Sequence, residues 1–236
     1  CFKADPSQIK KIQYIFDTSE SINEVAVVVW TTTPWTIPAN QALNVNPESD
    51  YVLLKVEPNK FRLNWLILAK DLYESCLVKW GLKAILVSKT KGLELKNIQF
   101  RHPMWTKDKF FQRLSKIIPA DYVECDAGTG IVHSAPAHGL DDFLSCKSDG
   151  LNDENILSIV KANGCYVDDV PIFGGLHIWK ANLEVAQALE SSNTLLSKNN
   201  FEHSTMHCWR HKSPIIYRAT SQWFVSMDNK ISINNK

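Results

Sequence analysis

The sequence predicts an α+β fold, either a mixed-strand barrel or a strongly bent sheet, with a few helices. Many short apolar or β-branched runs lie between Gly, Pro and Asn breaks, which is typical of short strands. Only roughly three stretches place apolar residues at helical spacing. The 236 residues are 44% hydrophobic and 22% charged, which suits one sizeable globular domain or two small ones.

Composition excludes several classes of protein. A formal net charge of +1 gives no global signature of nucleic-acid binding, so any such contact must be local. No apolar run reaches the about 18 residues of a membrane span. Residues 1–6 have neither an initiator Met nor the apolar segment of a signal peptide, so we expect a piece of a larger, cytoplasmic protein. Six scattered cysteines without a C-x-x-C pair indicate reduced thiols.

In the first half of the chain, residues 1–24 are polar and predict an entry linker with one short strand at most. The run 25–30 is apolar on both faces, which predicts a central buried strand. A helix is predicted over 70–78, ending before Gly81 as a C-terminal cap. Further strands are predicted at 51–57, 65–69, 84–88, 100–105 and 117–125.

In the second half, the sequence predicts a strand over 129–135 and a short helix over 141–146. Residues 179–189 form the clearest amphipathic helix. A returning strand is predicted at 195–201, and 215–227 is apolar and β-like.

A turn–strand–helix corner begins at Gly128. The period of two in a strand over 129–135 puts His133 and Ala135 on one face. Asp142 then lies in the first turn of the following helix, where the helix dipole favours a carboxylate. Imidazole and carboxylate together could form a polar pocket for a small cationic group. The alternative is a buried structural histidine and an ordinary helix N-terminal acid.

A second candidate for ligand contacts is the loop 31–40, in which Pro34 and Pro38 break regular structure. Its hydroxyl, indole and carboxamide groups belong to Thr31, Thr32, Thr33, Trp35 and Asn40. These are more polar groups than a turn requires. The alternative is that the threonines end the strand and cap a turn.

Other motifs are weak. The only dense group of potential zinc ligands consists of His203, His207, Cys208 and His211. It has no matching second pair, so we do not expect zinc. A modest basic patch consists of Lys107, Lys109, Arg113 and Lys116, which is typical of a solvated face rather than an RNA contact. No dinucleotide-binding, P-loop, zincin or serine-hydrolase motif occurs.

Three stretches taken together resemble the isoleucyl-tRNA synthetase family: WTTTPWTIPAN at 30–40, GTGIVHSAPAHGLDD at 128–142 and CWRHKSPIIYRATSQWF at 208–224. The resemblance covers nearly the whole chain and falls on the family's editing (CP1) domain, which is inserted into the class I catalytic fold. His133 favours this family over its valyl and leucyl relatives, which generally lack that histidine. The H-I-G-H-like and K-M-S-K-S-like motifs of aminoacylation are absent.

This resemblance implies the mixed-strand, β-barrel-like editing domain of a class I aminoacyl-tRNA synthetase with a few peripheral helices. It divides the chain into an entry linker (1–24), the editing-domain core (25–203) and a strand returning toward the absent catalytic domain (204–236). It also implies site roles. Asp142 anchors the substrate's ammonium group. The amino-acid pocket is bounded by Trp35, His133 and Ala135. Ester, adenosine and water are contacted by Thr31, Thr32, Thr33 and Asn40. His133 acts either as a base or as a steric wall.

The implied function is hydrolysis of mischarged Val-tRNA(Ile), and of valyl-adenylate in a possible second reaction, with Ile-tRNA(Ile) excluded. Discrimination by one methylene is worth only about 1–3 kcal/mol, and isoleucyl-tRNA synthetase is the standard example of a second sieve. Editing needs no cofactor, whereas the full-length parent would use ATP and Mg²⁺. Partners are the tRNA(Ile) acceptor end and the rest of the synthetase, without a membrane. Two alternatives are a non-catalytic tRNA-docking module and a zinc-dependent hydrolase.

Overall fold

The computed structural model describes residues 1–199 and 204–227, and strands from that part of the chain form one mixed sheet. The strands are β1 (Phe2–Ala4), β2 (Ala26–Val27), β3 (Ala42–Val45), β4 (Asp50–Val56), β5 (Trp65–Ala69), β6 (Ala84–Lys91), β7 (Gln99–Arg101), β8 (Leu114–Pro119) and β9 (Ile131–Ser134). Their order across the sheet is β6-β4-β5-β2-β1-β7-β8-β3-β9. The pairs β2–β5 and β3–β8 are parallel and the others antiparallel, which confirms the predicted α+β class.

The sheet bends strongly but does not close into a barrel, because β6 and β9 remain its two edges. Bending brings the turn before β9 onto the end of β5, where the Ala69 N–H donates to Thr129 O at 3.1 Å. Gly130 has φ +71°, and a Cβ there would lie 2.2 Å from the Cβ of Ala69. Only glycine permits this approach. Of the two architectures that the sequence left open, the chain adopts the bent sheet.

The described residues include four α-helices: α1 (Ile9–Ile15), α2 (Tyr73–Trp80), α3 (Leu140–Ser148) and α4 (Ile178–Ser191). The helix α2 ends as predicted, because Gly81 adopts φ +64° and the Leu82 N–H donates to Leu77 O. The amphipathic helix α4 buries Ala181 and Val185 against the core. None of the helices in the described ranges is long and apolar enough to cross a membrane.

The first 24 residues contribute to the sheet and its core, where we expected a linker. Strand β1 pairs with both β2 and β7. Phe2, Ile12 and Phe16 are at most 1% exposed. The sequence does not reveal this contribution, because α1 has only 7 residues and buries only Ile12, which is too little to produce a visible apolar period. The division into domains at 24/25 and 203/204 stays a prediction.

Several strands differ in extent from their predictions. In 25–30 only two residues pair, 100–105 pairs only at its start, and 117–125 is replaced by β8, which ends at Pro119. The sequence did not predict β3. Residues 195–199 and 215–227 form no strand with any other described residues, and Trp223 is 101% exposed. Residues 200–203 and 228–236, which include parts of the strands predicted at 195–201 and 204–236, lie outside the described part.

The described residues form two large apolar cores and a small third cluster of Ala42, Ile118 and Cys146. One packs α1, α2 and the central strands, with β5 buried on both faces as its continuous apolar sequence predicts. The other packs α4 against the loop 31–40 and the aromatic side chains of Tyr166 and Phe173. Trp35 and Ala135 belong to this second core. The loop and the β9–α3 corner therefore meet at its surface.

Candidate functional site

The carboxylate of Asp142 folds back from the first turn of α3 onto the end of β9. Its Oδ2 accepts from the Ala135 N–H at 2.8 Å, and its Oδ1 accepts from the Tyr122 hydroxyl at 3.2 Å. Gly139 makes room, since a Cβ there would lie 2.9 Å from Asp142 Oδ2. Burial raises the pKa of Asp142, and these two hydrogen bonds oppose the rise. Each oxygen keeps further lone pairs, so the group can also accept from a bound cation.

His133 lies on β9 opposite Leu43 of β3, and both of its ring nitrogens are engaged. Its Nδ1 is 2.8 Å from Asn40 Nδ2, which can only donate, so Nδ1 accepts. Its Nε2 therefore carries the proton and donates to Thr36 Oγ1 at 2.9 Å. The Thr36 hydroxyl in turn donates to Thr33 O at 2.9 Å. These contacts hold the ring in one orientation and one tautomer.

Burial lowers the pKa of His133 to about 3, with smaller contributions from the nearby His138 and Arg113. The ring is therefore neutral at pH 7, and its only lone pair is occupied by Asn40. A general base needs a pKa near the working pH and a free lone pair within reach of water. His133 is poorly suited to that role and well suited to a fixed wall.

We expect the free energy of unfolding to fall as the pH decreases from about 7 toward 4. The unfolded chain protonates His133 near pH 6.5, whereas the folded chain does so only near about 3. Below about 6.5 the unfolded state thus binds more protons, and stability rises with pH. The difference between these two pKa values corresponds to on the order of 5 kcal/mol when both states are fully protonated.

Urea unfolding of wild type and of His133→Gln at about pH 7, 6 and 5 measures this dependence. The glutamine removes the titrating group, so the variant should lose less stability on acidification. His207→Gln, at an exposed histidine, is the matched control. An equal pH dependence in wild type and His133→Gln would contradict the prediction.

The three threonines are partly exposed at the start of the loop. Thr31 Oγ1 accepts from the Thr33 N–H at 3.0 Å and lies 3.1 Å from Thr33 Oγ1. The Thr32 hydroxyl forms no hydrogen bond within the described residues. Thr31 and Thr33 therefore shape the turn, as the structural alternative states, while the Thr32 hydroxyl is accessible to a ligand.

Asn40 faces the interior, where we expected a contact with the substrate. It is 0% exposed. Its Nδ2 lies 2.8 Å from both His133 Nδ1 and Ala42 O, and its Oδ1 accepts from the Ser115 hydroxyl. All of its polar atoms contact protein. Asn40 positions the imidazole and is itself enclosed by protein.

Arg113 holds the same loop from inside. Its Nε donates to Asn40 O at 2.8 Å, its Nη1 to Phe110 O at 2.9 Å, and its Nη2 to Pro38 O. The predicted basic patch does not act as a unit, because Arg113 points inward and Lys116 pairs with Asp149.

Trp35 is 3% exposed and is held through its backbone. Its N–H donates to Asn182 Oδ1 at 3.0 Å, and its carbonyl accepts from the Tyr166 hydroxyl. Its ring meets those of His138 and Trp179 edge-on, with centroids 5.0 and 6.5 Å apart. Within the described protein, Trp35 Nε1 and His138 Nε2 are buried without a hydrogen-bond partner.

Sequence reasoning missed the residues that hold the site from a distance along the chain. They are Thr36, Tyr122, Ser115, Tyr166 and Asn182. Only Thr36 carried a signal, because it lies in the threonine-rich loop. The others act through contacts between elements far apart in sequence, which no local pattern reveals.

The suggested zinc ligands are only partly described. Cys208 Sγ lies 3.3 Å from His211 Nδ1, and His207 Nδ1 lies 3.0 Å from Thr205 O. His203 lies outside the described residues. Within 1–199 and 204–227, no group of three His, Cys, Asp or Glu side chains is placed to hold a metal ion.

Solved structures share this fold at low sequence identity. One described as "The crystal structure of GlLeuRS-CP1" aligns with a TM-score of 0.61 at 16% identity, over 84% of this chain and 93% of that one. The P. knowlesi cytosolic leucyl-tRNA synthetase editing domain aligns with a TM-score of 0.58 at 14% identity, over 82% and 93%. The fold is that of the editing domains of class I aminoacyl-tRNA synthetases.

Relatives named isoleucine–tRNA ligase define the family more closely. The chain is 50% identical to that of Bordetella petrii over 211 residues, which are 89% of this chain. It is 53% identical to that of Pseudomonas aeruginosa over 204 residues, or 86%. It spans only 22% and 20% of these two proteins. The chain is homologous to one segment of isoleucine–tRNA ligases, as its motifs predict. No protein-family model matches it.

Proposed function

We propose that this chain hydrolyses the ester of valine on the 3′ acceptor end of tRNA(Ile) and spares the isoleucine ester. One observation carries the proposal: the partly buried carboxylate of Asp142 is fixed at the end of β9, the strand that also carries the immobilised ring of His133. Carboxylate and ring are the two groups that such a site needs. The first binds the ammonium of the amino acid, and the second limits the size of its side chain.

The wall role of His133 follows from its contacts. A ring held through both nitrogens cannot swing aside to admit the extra methylene of isoleucine. Ala135 directly follows β9, two residues after His133, and packs in the same core as Trp35. Excluding a larger side chain by steric clash discriminates more strongly than the loss of one methylene contact does.

Hydrolysis here needs no protein nucleophile. The ester is already activated, so a positioned water and a polarised carbonyl suffice. Thr31, Thr32 and Thr33 supply hydroxyl groups at the entrance, and we assign the water to Thr32 because its hydroxyl is accessible. The reaction uses no metal or cofactor, while ATP and Mg²⁺ serve aminoacylation in the full-length parent. Valyl-adenylate fits the same ammonium anchor.

The partners in this proposal are the tRNA(Ile) acceptor end and the rest of a cytoplasmic synthetase. The exposed apolar side chains of 215–227 suit packing against the remainder of such a protein. They include Ile215, Tyr217, Trp223, Phe224 and Met227.

The test is deacylation of Val-tRNA(Ile) and Ile-tRNA(Ile) by the chain, with and without a strong chelator. We expect valine to be released at least about 10-fold faster than isoleucine, with no effect of the chelator. Loss of activity on chelation would favour the zinc-dependent hydrolase. Binding of Val-tRNA(Ile) without hydrolysis would favour the docking module.

A further inference from the structure

A cleft lies where the N-terminus of α4 meets the segment 214–218. Its volume is about 290 Å³, near the lower end of the range for ligand sites. Its lining residues include Lys161, His177, Trp179, Ile216 and Arg218. None of these residues has a role in the proposed hydrolysis.

The chemistry of this cleft matches a nucleotide. Trp179 is 43% exposed, so its indole offers a surface for a base. Arg218 forms no ion pair within the described residues, and its guanidinium is free for a phosphate. Lys161 adds a second cation, although Asp168 lies 3.1 Å from its Nζ and partly neutralises it. Aromatic surfaces beside cations are how proteins bind single-stranded nucleic acid.

A continuous series of contacts joins the cleft to the candidate site. The ring of Trp179 meets Trp35, and Trp35 meets His138. The Nδ1 of His138 lies 3.3 Å from Tyr217 O, directly before Arg218. The positive charge of Arg218 also helps burial to lower the pKa of His138 to about 4. The cleft therefore lies next to Trp35, to which we assign a wall of the amino-acid pocket.

We propose that this cleft binds the nucleotide that precedes the terminal adenosine of the acceptor strand. Its base lies against Trp179, and its phosphate lies between Arg218 and Lys161. The proposal rests on the proposed function, which makes the RNA 3′ end the ligand. It assigns part of the binding of the RNA 3′ end to residues outside the hydrolytic pocket.

The test is a double-mutant cycle on RNA binding, measured by fluorescence anisotropy. The first RNA is a 5′-labelled hairpin that ends in CCA and carries no amino acid. The second RNA has an abasic site in place of the penultimate base. Trp179→Ala should weaken binding of the intact hairpin by roughly 5- to 100-fold, the loss of one stacked base. The same variant should bind the abasic hairpin as wild type does, because the contact is already gone.

The contact of Arg218 with a phosphate is tested by the salt dependence of RNA binding. Arg218→Gln should lower the slope of log K against log[salt] by about 1, as expected when one phosphate contact is lost. Trp209→Ala and Arg210→Gln are the matched controls, since this exposed Trp–Arg pair lies outside the cleft, with 4.8 Å between guanidinium and ring. Trp179→Phe, which keeps a stacking ring, should restore most of the affinity and shows that the fold tolerates substitution there.

The cycle gives clear outcomes. Equal loss with intact and abasic hairpins, or Trp179→Ala binding like Trp209→Ala, would overturn the proposal. So would the absence of wild-type binding up to millimolar protein, or competition by inorganic phosphate alone as strong as by the dinucleotide CpA. The hairpin carries no amino acid, so its binding does not depend on hydrolysis. If the chain fails to hydrolyse Val-tRNA(Ile) but the binding measurements give the expected results, the hydrolytic function is refuted and this binding site is still supported.

Discussion

Asp142→Asn is expected to slow deacylation of Val-tRNA(Ile) by roughly 30- to 5,000-fold, because removing one partner of a buried charge pair costs about 2–5 kcal/mol. The asparagine keeps an oxygen that can accept from the Ala135 N–H. In the wild type this hydrogen bond, from Ala135 N to Asp142 Oδ2 at 2.8 Å, joins α3 to the end of β9. The variant loses the negative charge that binds the substrate's ammonium. The corner should therefore survive while the anchor is lost.

Single-turnover deacylation measures this effect, and thermal unfolding checks that the variant remains folded. Asp141→Asn is the matched control, because Asp141 is exposed in the same first turn of α3. It changes the charge near the helix N-terminus equally but does not contact Ala135. If both variants slowed the reaction alike, the long-range charge of the helix end would explain the effect and the anchor role would be rejected.

His133→Ala is expected to open the pocket to isoleucine and to lower the preference for Val-tRNA(Ile) over Ile-tRNA(Ile) by roughly 10- to 100-fold. The neighbours of His133 tolerate its removal. Asn40 Nδ2 keeps Ala42 O at 2.8 Å and Ser134 O at 3.3 Å, and Thr36 Oγ1 keeps Thr33 O at 2.9 Å. No buried donor is left without a partner by this substitution.

His133→Gln separates the two roles left open for this residue. Glutamine is not a base but retains much of the volume of histidine. A wall predicts that His133→Gln keeps the preference for valine and that both variants still hydrolyse Val-tRNA(Ile). A base predicts that both variants lose that hydrolysis. Deacylation rates of Val-tRNA(Ile) and Ile-tRNA(Ile), measured side by side for each variant, decide between these outcomes.

The sequence alone predicted the class of fold, the presence of α2 and α4, the glycine that ends α2, and the stretches in which we place the candidate site. These features have local causes. Gly81 ends α2 because only glycine enters the left-handed region freely, and the 3.6-residue period of 179–189 predicts a helix with one apolar face, which the structure extends to Ile178–Ser191. The motifs at 30–40 and 128–142 identified the family for the same reason, since each is continuous in the chain.

Only the tertiary structure decided which atoms of those stretches are free to act. Asn40 and Thr33 look alike as polar loop residues, but Asn40 is enclosed by Ser115 and His133 from other strands. Arg113 reads as a surface cation and instead donates to carbonyl groups inside the loop. Burial and hydrogen-bond partners depend on elements distant in sequence. For that reason the neutral state of His133 and the hydrogen bond from the Ala135 N–H to Asp142 result from tertiary packing, and no local sequence pattern predicts them.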